Sequence, residues 1–252
     1  MTQPATPSPP PIRPSARIDA LDLARAAALG AMVLFHVVFD LELFGLVSPG
    51  MTMQPGWRWL AYLTAGSFLF LAGASLWLAH GAGIGWRGFW RRLAMIGAAA
   101  LAITAGTAIA MPDRFIFFGI LHAIAAASLL GLLCLRLPVL VLVIGGIAVL
   151  TLPQLARFAA LDAPWFWWTG LQATGLRSVD YVPLFPWFAP FLFGLAAAKL
   201  MARAGIWARL ARWKAPRALA PLIRAGQHSL ILYLVHQPVL IALIWIMLQL
   251  RA

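Results

Sequence analysis

Charged residues are scarce in this sequence, and their scarcity argues against a soluble protein. Asp, Glu, Lys and Arg make up 10% of the 252 residues, whereas hydrophobic residues make up 63%. A soluble domain needs more polar surface than this, and long uncharged runs are typical of membrane spans of about 20 residues. The composition therefore predicts an integral membrane protein that contacts the lipid bilayer.

Acidic residues are fewer than basic ones. The sequence has 7 Asp and Glu against 19 Lys and Arg, which gives a formal net charge of +12. Such an excess suits nucleic-acid binding in a soluble protein. In a membrane protein it is the usual result of cytoplasmic Lys and Arg that set topology, so we expect no nucleic-acid partner.

Cysteine is almost absent, and no secretory leader is recognisable. The single Cys134 excludes a disulfide, zinc or thiol-redox framework built from this chain alone. Residues 1–16, MTQPATPSPPPIRPSA, are rich in Pro, Ser and Thr and predict a disordered or polyproline-like tail. They lack the apolar core and cleavage site of a signal peptide. We therefore expect this tail and then a single transmembrane domain over residues 17–252.

The hydrophobic runs predict an all-α, polytopic bundle of about seven transmembrane spans. The expected spans are 22–46, 57–79, 90–111, 115–134, 138–153, 182–202 and 228–250. Between them lie two long connections. The first, 154–180, contains WFWW at 165–168, which indicates an aromatic belt or an interfacial helix. The second, 203–225, is basic and predicts one amphipathic surface helix.

The distribution of basic residues predicts a cytoplasmic N-terminus. With that orientation, 14 of the 19 basic residues fall on the cytoplasmic side. This agrees with the positive-inside rule.

The first span contains ionisable residues in an otherwise apolar segment. Arg25 and His36 are 11 residues apart, which is about three helical turns, so they share one face about 16 Å apart. Asp22 and Asp40 lie beside the same face. They predict either two self-satisfied pairs, Asp22 with Arg25 and His36 with Asp40, or a functional site.

Two further histidines, His122 and His236, are expected near the same membrane depth on other helices. Each alone fits a hydrogen-bonded core residue, but three at one level predict a shared polar chamber. Within it, a carboxylate such as Asp40 would orient the His36 imidazole as a base or nucleophile. The sequence lacks the acid–histidine spacing of a closed metal site, so we expect no metal.

At this point the chain resembles a known family. RIDALDLARAAALGAMVLFHVVFDLELFG, at 17–45, resembles the opening of the heparan-alpha-glucosaminide N-acetyltransferase catalytic family, in its bacterial branch of the membrane acyltransferase superfamily. The resemblance continues through segments in four later parts of the chain. These are FLFLAGASLWL (68–78), FGILHAIAAASLLG (118–131), PLFPWFAPFLFGLAAAKL (183–200) and HSLILYLVHQPVL (228–240).

The resemblance implies transfer of an acetyl group from cytoplasmic acetyl-CoA to a sugar-containing acceptor across the membrane. It implies that His36 is the catalytic histidine and that Arg25 engages the acyl-CoA side. It also implies that four other residues line the site. These are His122, Tyr233, His236 and Gln237. The chain has fewer expected spans than the well-studied relatives, and the sugar specificity of the eukaryotic enzyme does not carry over.

Basic residues on the cytoplasmic side suit the anionic CoA. Beside Arg25 and its neighbour Asp22, we expect contributions from Arg87, Arg91 and Arg92. Trp86 and Trp90 are candidate stacking partners for adenine, although topology-setting charge alone also explains this segment. On the outer side, Asp113–Arg114 and Asp180–Tyr181 either hold an acceptor or form interfacial ion pairs.

Three functions remain open from the sequence. The first is an acyltransferase whose acceptor is a glycan or another small hydroxyl or amine compound. The second is a proton-coupled transporter or channel that uses the same His and Asp residues as a relay. The third is a membrane scaffold. A homo-oligomer is compatible with each of them.

Overall fold

The computed structural model describes residues 17–250, and this part of the chain is all-helical, as predicted. The Pro-rich segment 1–16 and residues 251–252 lie outside the described residues. Nine α-helices follow one another in the described chain. They are α1 (Asp19–Leu43), α2 (Pro55–His80), α3 (Trp86–Ala110), α4 (Ile120–Cys134), α5 (Val139–Leu155), α6 (Leu184–Arg203), α7 (Ile206–Arg212), α8 (Ala220–Gln227) and α9 (Ser229–Gln249).

Five of these helices are long and apolar enough to cross a membrane. They are α1, α2, α3, α6 and α9. Helices α4 and α5 coincide with the fourth and fifth expected spans but are shorter apolar helices. The number of seven spans and the cytoplasmic N-terminus therefore stay predictions.

The fourth helix begins later than the expected residue 115. The chain before Ile120 is extended and bonds to the long connection that precedes α6. The Val182 amide donates to the Phe118 carbonyl at 3.0 Å, and the Ser178 hydroxyl donates to the Phe115 carbonyl at 2.9 Å. These bonds satisfy the backbone without a helix, so α4 starts five residues later than expected.

The basic connection after α6 forms two short helices, α7 and α8, so the prediction of one surface helix was wrong. Residues 213–216 between α7 and the next helical turn are not helical. Proline disfavours a helical conformation of the residue before it, and Pro216 follows Ala215 there. Trp207 is buried, and its indole donates to the Ala198 carbonyl at 2.8 Å, which ties α7 to α6.

Helices α2 and α6 form the centre of the bundle. A Cβ at Gly73 would lie 2.1 Å from the Phe191 carbonyl oxygen, and one at Gly194 would lie 2.0 Å from the Phe70 carbonyl oxygen. The two backbones therefore touch through glycines on both helices, and Phe191 and Leu195 are fully buried beside them. Gly73 therefore serves the close packing of α2 on α6.

Helix α1 is held to this centre and to the last two helices. A Cβ at Gly226 on α8 would lie 1.8 Å from the Asp22 carbonyl oxygen, so α8 packs directly on the start of α1. Further along, α1 contacts α9, while the outward face of α9 leaves Ile231, Val239 and Leu243 exposed. His36 on α1 meets His236 on α9 in this contact.

Candidate active site

The N-terminal end of α1 carries the predicted ion pair. The Arg25 guanidinium donates to Asp22 at 2.7 Å and, from its other nitrogen, to the Ser75 hydroxyl of α2 at 2.7 Å. The second oxygen of Asp22 accepts from the Gln227 side-chain amide at 3.3 Å. The Asp22–Arg25 pair is the one salt bridge among residues 17–250. Helices α1, α2 and α8 together fix the direction of the guanidinium.

A cavity of about 440 Å³ opens beside Arg25. Apolar side chains of α2, α3, α4 and α9 form most of its wall. The polar side chains that line it come mainly from one end. They are Arg25, Arg92, Gln227, His228, Ser229 and Tyr233. The cavity thus carries two guanidinium groups and extends along α9 as far as Tyr233.

Beyond Tyr233, two histidines face each other across α1 and α9. The ring centroids of His36 and His236 are 4.9 Å apart, and the Tyr233 ring is 5.6 Å from that of His236. The Nδ1 nitrogen of His236 bonds to the Tyr233 carbonyl. Tyr233 therefore contacts the cavity on one side and the imidazole pair on the other.

Asp40 does not hydrogen-bond to His36, so the predicted His36–Asp40 dyad was wrong. Asp40 is fully buried, and its Oδ1 accepts from the Gln237 side-chain amide of α9. The spacing of four residues places both groups on one face of α1, but α9 packs against that face. Gln237 donates a hydrogen bond to the Asp40 carboxylate, and the His36 ring packs against His236.

Several buried polar atoms in this contact have no partner. Asp40 and Gln237 share a hydrogen bond, His36 and His236 share a ring contact, and we call these four residues the polar cluster. Each contributes one unpartnered atom among the described residues. These atoms are His36 Nδ1, Asp40 Oδ2, His236 Nε2 and Gln237 Oε1. Buried polar groups are rarely left unpaired, so these four atoms are positions where ordered water or a polar ligand can form hydrogen bonds.

His122 does not join this cluster, and the predicted three-histidine chamber was wrong. It sits in the first turn of α4, where Nδ1 accepts from the Gly119 amide at 3.3 Å and Nε2 lies 3.2 Å from the Thr104 hydroxyl. No ring contact joins it to His36 or His236 in the described chain. Because α4 begins at Ile120, His122 is used to cap the helix, and both of its nitrogens are occupied.

The residues predicted to bind acyl-CoA divide into two groups. Arg25, Arg92 and Tyr233 line the cavity, and Asp22 holds Arg25. The others lie away from the cavity wall. Arg87 and Arg91 are exposed, and Gln237 belongs to the polar cluster. Trp86 and Trp90 stack with centroids 6.5 Å apart and remain exposed.

In the connection before α6, which we expected on the outer side, Asp180 lies against the start of α4. Its carboxylate accepts from the Ile120 amide at 3.1 Å. Burial raises the pKa of this carboxyl from 3.8 to about 6, although the amide bond acts in the other direction. Burial also raises the pKa of Tyr181, whose hydroxyl donates to the Trp167 carbonyl at 2.6 Å. Neither this pair nor Asp113 with Arg114 forms a salt bridge in the described residues.

Some functional residues gave no signal in the sequence. Gln227 and Ser229 line the cavity, and Ser75 bonds to Arg25, yet all three are ordinary polar residues at or near helix ends or small-residue runs. Only the packing of α2, α8 and α9 around α1 brings them to the Arg25 end of the cavity. Residues 17–250 contain no group of three or more His, Cys, Asp or Glu side chains that could hold a metal ion.

The comparisons with known proteins give one match. A family model described as heparan-alpha-glucosaminide N-acetyltransferase, catalytic, matches residues 17–238. No curated protein and no solved structure matches the chain. The matched region includes His36, His236 and every polar residue that lines the cavity.

Proposed function

Because the chain belongs to the heparan-alpha-glucosaminide N-acetyltransferase catalytic family, we propose that it is a membrane-embedded acetyltransferase. Its donor is cytoplasmic acetyl-CoA, and its acceptor is an extracytoplasmic, sugar-containing compound. We propose the bacterial inner membrane as its location. One observation carries this proposal. A cavity with guanidinium groups at one end reaches Tyr233, one helical turn before a pair of facing imidazoles.

The cavity suits the donor. CoA carries phosphates, and guanidinium groups such as those of Arg25 and Arg92 bind phosphate oxygens in pairs. The pantetheine arm is a narrow chain in which methylene and methyl groups alternate with two amides, and the cavity wall between Arg92 and Tyr233 is mainly apolar. In this arrangement the thioester lies at the Tyr233 end, beside His236.

The imidazole pair supplies a general base for acetyl transfer. A neutral imidazole removes a proton from a hydroxyl or amine as it attacks, and such a base contributes about 10²–10⁴-fold to a rate. We assign this base to His36, the histidine that the family resemblance implies. His36 Nδ1 is buried without a partner, whereas both nitrogens of His122 are bonded. This difference supports His36 over His122 as the base.

The test is acetyl transfer by the full chain in lipid nanodiscs. Labelled acetyl-CoA is added with an extract of the bacterial envelope, and label on glycans and on the protein is read by mass spectrometry. We expect acetylated envelope material with the parent protein and at least a hundredfold less with His36→Ala, while both bind acetyl-CoA. Solute uptake into liposomes without an acyl donor, together with no transfer, would instead support the transporter.

A further inference from the structure

Three of the four unpartnered atoms of the polar cluster have a defined hydrogen-bonding role. His236 Nδ1 faces a carbonyl oxygen, which only accepts hydrogen bonds, so Nδ1 carries the hydrogen. In the neutral ring the other nitrogen, Nε2, then offers a lone pair. Nε2 is buried and without a partner. His236 therefore presents a hydrogen-bond acceptor in the α1–α9 contact.

The same argument fixes Asp40 and Gln237. A carboxylate accepts hydrogen bonds, so the Gln237 amide must direct its NH₂ group to Asp40 Oδ1. This leaves Gln237 Oε1 and Asp40 Oδ2 as the buried atoms without a partner. Both are acceptors, and Asp40 is fully buried. Three of the four unpartnered atoms in the polar cluster are thus acceptors with no donor.

We propose that His236, Asp40 and Gln237 form the subsite that binds the nucleophilic group of the acetyl acceptor. This inference rests on the proposed acetyl transfer and assigns these residues to acceptor binding, with His36 as the base. A set of acceptors is completed by hydrogens on nitrogen or oxygen, of which a neutral primary amine supplies two and a hydroxyl one, so the nucleophile is a neutral amine or hydroxyl. A carboxylate or phosphate would meet Asp40 with like charge.

The transfer step balances with these roles. The lone pair of the bound nitrogen or oxygen forms a bond to the acetyl carbon. The carbon–sulfur bond of the thioester breaks, and its electron pair leaves on the CoA sulfur as a thiolate. The proton of the nucleophile passes to His36. In this step the subsite holds the nucleophile through its hydrogens and aims its lone pair at the thioester near Tyr233.

Hydroxylamine is the probe for the subsite, because it is small, largely neutral at pH 7 and forms acetohydroxamate, which is measured by colour with iron. Initial rates are taken against hydroxylamine concentration with the full chain in nanodiscs and saturating acetyl-CoA. The uncatalysed rate without protein is subtracted. We expect saturation with the parent protein.

His236→Asn and His236→Gln are the matched variants. The Asn amide keeps a donor for the Tyr233 carbonyl but lacks an atom at the Nε2 position, whereas the Gln amide places its oxygen near that position. We expect His236→Asn to raise KM for hydroxylamine about tenfold or more, with a smaller effect on kcat. His236→Gln should recover part of this loss.

Asp40→Asn tests the carboxylate. Asn keeps an oxygen for the Gln237 amide and replaces Oδ2 by a donor of the same size, so the helix contact is retained while the subsite polarity changes. We expect KM for hydroxylamine to rise about tenfold or more and the affinity for acetyl-CoA to stay within twofold.

Four results would overturn the inference. They are no saturable acetohydroxamate formation by the parent, unchanged KM in both Asn variants, a fall in kcat alone, and a loss of acetyl-CoA affinity. Label transfer to envelope glycans, measured on the same samples, separates the two proposals. If that transfer occurs while the hydroxylamine results fail, only the subsite is wrong. If neither occurs, the acetyltransferase function itself is wrong.

Discussion

At the scale of single residues, Arg25 organises the end of the cavity that lies beside the start of α1. Its guanidinium bonds at the same time to Asp22 on α1 and to Ser75 on α2, each at 2.7 Å. A planar fork with several donors makes both bonds and still faces the cavity. A lysine ammonium is a point charge that does not reproduce this geometry.

We therefore predict that Arg25→Lys weakens acetyl-CoA binding about tenfold or more, although the charge is kept. The matched control is Arg136→Lys, because Arg136 is exposed and does not line the cavity. Isothermal titration of both variants in nanodiscs measures the effect. Equal affinities for the two variants would argue against Arg25 as a donor-binding residue.

A second residue-scale prediction concerns Asp180 and pH. Its pKa is raised from 3.8 to about 6 by burial, so the folded state holds the proton more tightly than the unfolded state. The stability of the parent protein therefore falls as pH rises from about 4 to 6, by about 3 kcal/mol in total, and then levels.

Asp180→Asn removes this dependence, because the amide oxygen still accepts from the Ile120 amide and carries no charge. We expect the variant to gain stability over the parent between pH 4 and pH 7, with a constant difference above that. Thermal unfolding in nanodiscs across this range gives the comparison. A difference that shrinks as pH rises would show that the ionised carboxylate stabilises the fold.

The sequence predicts site contacts between residues that are close along one helix, but not contacts between residues that are distant in the chain. The Asp22–Arg25 pair follows from a spacing of three in a helix, and the structure confirms it. Asp40 is bonded to Gln237, which is 197 residues away. No periodicity indicates such a partner, since it depends on how α9 packs on α1. A local partner, His36, was therefore predicted in its place.

At the scale of helices, the close contact of α2 and α6 depends on glycine. Gly194 has a carbonyl oxygen 2.0 Å from the position of an added Cβ, whereas Gly106 on α3 has nothing within 4 Å. Small residues allow this approach, and a methyl group would separate the two backbones.

We predict that Gly194→Ala lowers the stability of the fold by about 2–4 kcal/mol, because overpacking of a buried contact costs this order of free energy. Gly106→Ala is the control and should be neutral or stabilising by up to about 1 kcal/mol, since alanine favours a helix over glycine. Unfolding in mixed micelles measures both. A neutral Gly194→Ala would mean that α2 and α6 are further apart than described.

Helix positions were more predictable than helix ends. Long apolar runs indicated α1, α2, α3, α6 and α9 to within a few residues. The start of α4 was missed because residues 115–119 bond to a connection some 60 residues later in the chain. Pro216 is a local sequence signal for the break between α7 and α8. The basic, amphipathic pattern of residues 203–225 favoured one continuous helix instead, and that prediction was wrong.

At the scale of the whole molecule, the sidedness of the membrane remains a prediction from charge. We expect the basic connection to face the cytoplasm and the connection before α6 to face outward. In a Cys134→Ser background, Lys214→Cys should react with an impermeant maleimide only in inside-out vesicles. Ala160→Cys should react only in right-side-out vesicles. The reverse labelling pattern would place the cavity mouth on the outer side.

The overall class of the protein could be predicted from composition, and the family from ordered motifs, because both are spread along the chain. The meeting of His36 and His236 could not be predicted in this way, because it depends on the packing of α1 against α9. The three predicted histidines divide into a facing pair and a helix cap. Their equal expected depth did not determine which of them face each other.

The most direct test of the account is the sidedness of acetyl transfer. Inside-out membrane vesicles that contain the parent protein or His36→Ala receive labelled acetyl-CoA outside, at the cytoplasmic face. The account predicts label on envelope glycans within the vesicle lumen for the parent and at least a hundredfold less for the variant. Equal lumenal label in both samples, or transfer by the parent only when acetyl-CoA is on the opposite face, would contradict it.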